Sequence, residues 1–102
     1  MDKSLNADFA AIALAVGTRV EQERTARQLT KEGLAELSGL ASRYLWRVEE
    51  GMQNITLKNL VAIANGLGLT LEDLLSGVEI MALNPQPRAE RKPRGPGAAE
   101  RR

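Results

Sequence analysis

Between Phe9 and Leu75 the large apolar residues recur at intervals of three and four, and no window alternates with period two. A helix turns once in about 3.6 residues, so this spacing gathers apolar side chains on one face, whereas a half-buried strand would need strict alternation. Phe9, Ile12, Ala13, Val16 and Val20 form one such stripe and predict a first helix over about 8–27, with Asn6 or Asp8 available to cap its start. Leu34 and Ala35 face inward from a short second helix, 31–37, capped by Thr30. Tyr44, Leu45 and Val48 share one side of a third over about 41–50, which Gly51 stops. Thr56 caps a fourth helix, whose Leu57, Leu60, Val61, Ile63, Ala64 and Leu67 make a strong inner stripe before Gly66-Leu67-Gly68 ends it. Thr70-Leu71-Glu72-Asp73 has the form of a capping box and opens a fifth, burying Leu71, Leu74 and Leu75. The expected fold is all-α, with five helices.

A chain of 102 residues has room for one small domain, here expected over 1–78. Val78, Ile80, Met81 and Leu83 are too apolar for a free tail, so 76–83, with Leu74 or Leu75, is expected to pack as an arm or a dimer contact, or else to cover the edge of its own core. Beyond Leu83 no apolar residue larger than Ala or Pro occurs, and all four prolines are gathered there. Such a segment cannot offset the entropy of ordering, so 84–102 is expected to be a disordered basic tail. Residues 79–102 carry six basic and three acidic side chains, against eight and ten in the rest of the chain.

Cysteine and histidine are both absent. That removes thiolate nucleophiles, Ser-His dyads, disulfides and the usual zinc ligands, and no phosphate-binding glycine loop is present. An enzyme, a metal site and a cofactor are therefore not expected. The longest apolar run, Phe9 to Val16, is too short to span a bilayer, so no membrane role is expected and the cytoplasm is the expected location. The three aromatics, Phe9, Tyr44 and Trp46, are too few for a base-stacking sheet.

Five amphipathic helices fit many unrelated functions. The informative stretch is 29–51, where two short helices meet through a turn containing Gly39. A helix-turn-helix needs a small residue where its helices touch, here Ala35, a glycine in the turn, and an apolar inner face on its second helix, here Leu45 and Val48. From 16 to 75 the chain resembles the lambda-repressor-like, Cro-type (XRE) helix-turn-helix family. The resemblance is carried by Gly17-Thr18-Arg19-Val20, Arg24, Leu29-Thr30, Leu34-Ala35-Glu36, Gly39-Leu40, Ser42-Arg43-Tyr44-Leu45, Arg47-Val48-Glu49-Glu50-Gly51 and the run from Leu57 to Leu75.

That resemblance implies a homodimeric transcriptional regulator, expected to be a repressor, with the helix about 30–50 motif placing its third helix in the major groove of double-stranded DNA. Ser42, Arg43 and Arg47 would face the bases, where a guanidinium fork can donate to guanine O6 and N7. Thr30, Lys31, Gln53 and Asn54 match phosphate-contacting positions, with turn chemistry an equal reading for Gln53 and Asn54. The resemblance also implies that Arg24 and Glu49 form a partly buried, structural ion pair. Several residues depart from the family pattern: Ser38 stands where a large apolar residue is usual, Gln28 where a glycine often ends the first helix, and Trp46 at a normally polar position. Trp46 could meet the sugar–phosphate backbone or thymine methyls, insert between protein surfaces, or cover Leu37; an interface is the reading preferred, together with Leu75, Val78, Ile80 and Met81. The alternative function is a protein-interaction module, such as an antitoxin, that uses the same face for a protein partner.

Overall fold

The computed structural model describes residues 2–83, with side chains from Asp8 onward. The segment expected to be a disordered tail lies outside the described residues. Helices α1 (Asp2–Ala26), α2 (Lys31–Ser38), α3 (Ser42–Glu49), α4 (Leu57–Leu67) and α5 (Leu71–Leu74) correspond to the five expected, and α6 (Val78–Leu83) follows them.

The helix ends follow local chemistry. The hydroxyls of Thr30, Thr56 and Thr70 accept from the amides of Gly33, Asn59 and Asp73, each satisfying one donor that a helix start leaves open. Gly39 and Gly68 close α2 and α4 in the left-handed conformation that glycine adopts without strain. At the start of α1 the expectation fails: neither Asn6 nor Asp8 caps it, because the helix already runs from Asp2. No glycine or proline stands among residues 2–8 to interrupt propagation, and each added residue gains a backbone hydrogen bond. The end of α1 is more unusual. Gln28 takes φ 59°, a left-handed conformation that costs a residue with a Cβ about 1–2 kcal/mol.

Val16 and Val20 of α1, Leu34 and Ala35 of α2, Leu45 and Val48 of α3, Ile63, Ala64 and Leu67 of α4 and Leu74 of α5 enclose one core. The inner stripe of α4 is narrower than expected. Leu57 is 66% exposed and Val61 40%, because positions 60, 63, 64 and 67 already fill the arc that faces α2. The expected arm is α6: Gly77 turns the chain at φ 77°, after which Val78 and Met81, one turn apart, lie on the core while Ile80 and Leu83 remain on the outside. Val78 is buried and Leu75 and Met81 are half-buried, so within this chain the segment covers its own core edge.

Two close approaches hold the frame. Where α1 crosses the end of α3, a Cβ on Gly17 would lie 2.2 Å from the Val48 carbonyl oxygen and 2.9 Å from that of Glu49. Where α2 meets α4, a Cβ on Gly66 would lie 2.4 Å from Ser38 Oγ. Ser38 Oγ thus fills the space that a side chain at position 66 would need. On the outer side of α1, Glu23 pairs with Arg27 and Arg19. The Arg27 hydrogen bond, against the opposing effect of partial burial and with help from Arg19, holds the Glu23 carboxyl below its ordinary range. Its small contribution is complete above the ordinary carboxylate range and is lost as pH falls through the lowered value.

Gly17→Ala should destabilise the domain by about 1–3 kcal/mol despite alanine's better helix propensity, since the methyl meets backbone that cannot retreat. Gln28→Gly should act in the opposite direction, by about 1 kcal/mol, through relief of the left-handed strain. Urea denaturation of both variants measures the two signs.

Candidate nucleic-acid interface

The sequence of α3 divides into two faces. Leu45, Val48 and Glu49 are buried, which fixes the helix about its own axis, and Arg43, Trp46 and Arg47 are therefore presented to solvent. Ser42 is half-buried at the helix start. The α2–α3 turn sets the angle between the two helices through Leu40, whose amide donates to the Ala35 carbonyl at 2.9 Å and whose side chain packs on the core. Nothing lies within 4 Å of a Cβ built on Gly39, so glycine is required there for its φ of 72° alone.

Glu49 is a fully buried carboxylate and its neutralisation decides whether α3 can sit where it does. Arg24 Nε and Nη2 donate to its two oxygens at 2.7 and 3.1 Å, a two-pronged pair, and Arg24 Nη1 donates to the Leu29 carbonyl at 2.7 Å. One guanidinium therefore ties α1, the α1–α2 connection and the last turn of α3 together. Lys31, at the first position of α2, adds a second cation: its Nζ lies 3.6 Å from Glu49 Oε1 and 4.5 Å from the centre of the Trp46 ring.

The remaining candidates are spread around this centre. Arg43, Trp46, Arg47 and Ser42 line one open hollow of about 490 Å3 on the outer face of α3. Neither Arg43 nor Arg47 belongs to an ion pair among the described residues, which instead join Arg19, Arg24, Arg27 and Lys31 to Glu23 and Glu49. The Thr30 hydroxyl is engaged in capping α2. Gln53 is half-buried and Asn54 exposed in the segment after α3. Lys31 opens α2 as expected; its side chain is 12% exposed and its ammonium is turned to Glu49 and Trp46. Trp46 does not cover Leu37, which is largely exposed.

Against known proteins, the helix-turn-helix family profile matches residues 20–74. The chain belongs to the lambda-repressor-like helix-turn-helix family, and with it to the helix-turn-helix regulators of transcription. It is 36% identical over 61 residues to the control protein C.MunI of Mycoplasma sp, covering 60% of this chain and 80% of that protein. To the control protein C.SmaI of Serratia marcescens it is 34% identical over 68 residues, covering 67% and 81%. The crystal structure of the restriction-modification controller protein C.AhdI from Aeromonas hydrophila superposes with a TM-score of 0.60 at 37% identity, over 61% of this chain and 94% of that one.

Two features of this helix-turn-helix protein carry no local signal in its sequence. The Lys31–Trp46 contact joins residues 15 apart in different helices, and Asn59 Nδ2 donates to Tyr44 Oη across α4 and α3 at 3.0 Å. Replacing Glu49 or Arg24 by alanine strands its partner's charge and should cost about 3–5 kcal/mol. Thermal unfolding of the two single variants and the double variant would show the double costing much less than the sum.

Proposed function

We propose that the protein regulates transcription by binding a specific operator as a homodimer, as a repressor that occupies a promoter, with α3 in the major groove. The observation that carries this reading is the orientation of Arg43 and Arg47: two exposed guanidiniums, one turn apart, on a helix whose opposite face is locked by Leu45, Val48 and Glu49. Each fork matches guanine O6 and N7, and Ser42 adds a short donor and acceptor beside them. Thr30, Gln53 and Asn54 would meet the flanking phosphates, which position a protein without specifying sequence. Lys31 supports the surface from behind, balancing Glu49 and holding Trp46.

One domain reads only a few base pairs, and a two-fold dimer would set two α3 helices about 34 Å apart, one turn of duplex. Of the expected contact residues, Val78, Leu75 and Met81 are committed to the chain's own core, so a dimer would use the outward side of α6 around Ile80, which is 68% exposed. The relatives named as control proteins, and the restriction-modification controller protein C.AhdI, support a regulatory rather than a catalytic role. No cofactor, metal or membrane enters this reading, and its site of action is the cytoplasm. The half-exposed Trp46 favours one second reading, a protein partner on the same face.

Selection of bound sequences from random duplex DNA should return a two-fold site with half-sites about ten base pairs apart. Against that site, Arg43→Ala and Arg47→Ala should each lower discrimination over scrambled DNA by about 1–3 kcal/mol. If neither variant alters discrimination while a Trp46 substitution abolishes a protein complex, the partner reading replaces the DNA reading.

A further inference from the structure

Trp46 is the chain's single tryptophan, and it stands 47% exposed on the face of α3 that carries Arg43 and Arg47. A large apolar ring left in water on an otherwise polar surface gives up burial that a contact could recover. The ring is also held. Lys31 Nζ sits 4.5 Å from its centre and is itself 3.6 Å from Glu49, which Arg24 anchors. One side of the indole is thus occupied by the protein's own cation, and the exposed part forms a wall of the hollow shared with Ser42, Arg43 and Arg47.

The composition of that hollow narrows what can fill it. Two guanidiniums and a hydroxyl supply hydrogen-bond donors, and the indole supplies an apolar wall. On the edges of bases in the major groove, the acceptors are guanine O6 and N7, adenine N7 and thymine O4, and the apolar group is the C5-methyl of a pyrimidine. A phosphate would gain little from an uncharged ring. A protein partner seated on Trp46 would bury both flanking guanidiniums, which lack ion pairs among the described residues and would need acidic partners of their own.

We propose that Trp46 is a specificity-determining residue that recognises a pyrimidine C5-methyl group in the major groove beside a guanine read by Arg43 or Arg47, with Lys31 as its positioning residue. The methyl can belong to thymine or to 5-methylcytosine, which display it at the same place. The inference rests on α3 lying in the major groove.

The test uses the full chain and a selected operator in which each thymine of a half-site is replaced in turn by deoxyuridine, which removes the methyl and keeps the pairing. Wild-type binding should weaken about fourfold at the position facing Trp46, the value of one buried methyl. Trp46→Ala should bind the dT and dU duplexes equally. The emission of the single tryptophan should respond more to the dT duplex. Lys31→Met should lose the dT-over-dU preference, and Lys31→Arg, which keeps a cation over the ring, should retain it. In the second arm dC and 5-methyl-dC are compared at the same position. A gain on methylation that Trp46→Ala lacks identifies either pyrimidine as a source, and no gain leaves thymine as the source. The proposal is overturned if no dT-to-dU change weakens wild-type binding, or if wild type and Trp46→Ala lose equally. The groove reading fails separately: in that case Arg43→Ala and Arg47→Ala keep full discrimination, whereas their loss of discrimination without a methyl effect removes only the role given to Trp46.

Discussion

A carboxylate without solvent contact sits at the end of α3, and the position of that helix depends on how the carboxylate is neutralised. Glu49 is paired on both oxygens by Arg24, and the third nitrogen of Arg24 donates to the Leu29 carbonyl. An ion pair of this kind is weak evidence for net stability, because desolvating two charges costs about as much as their attraction returns. Its value here is geometric. A planar fork accepts few alternative arrangements, so three segments that meet at one guanidinium are held in one relation.

The same junction needs bare backbone. Gly17 lets α1 touch the terminal carbonyls of α3, and Gly51, at φ 75°, turns the chain away with Leu14 pressed against it. Together these contacts leave Leu45 and Val48 facing the core and Arg43 and Arg47 facing out. The outward face of α3 is thus a consequence of what happens on the buried side of an eight-residue helix. Lys31 extends the arrangement outward, since the cation that helps balance Glu49 also lies over Trp46.

Much of this was legible in the sequence because it is local. Threonine caps, left-handed glycines and the three-and-four apolar spacing act within a turn or two, and the helices fall where those signals lie. Arg24 and Glu49 were legible only through family resemblance, because nothing in their own surroundings points across 25 positions. Periodicity reports an apolar face without reporting what covers it. Leu57 and Val61 continue the stripe of α4 but fall outside the arc that α2 reaches. Val78 and Met81 were read as an arm, a contact for a second copy or a cover for the chain's own core edge, and within this chain they pack on that core. Lys31 stands at a helix start, and nothing in its own neighbourhood signals its approach to a buried acid and an indole ring in another helix.

By itself, then, the order of residues determined that the chain is helical, where α2 to α5 begin, and that it carries the motif of a DNA-reading family. Those properties follow from backbone hydrogen bonds, caps and side-chain period, all of which operate over a few neighbouring positions. Only the tertiary structure decided which cations are spent on Glu49, why a serine faces Gly66, and which side chains share the hollow on α3. Those depend on distances between segments far apart in the chain, and such distances exist only once the core has closed.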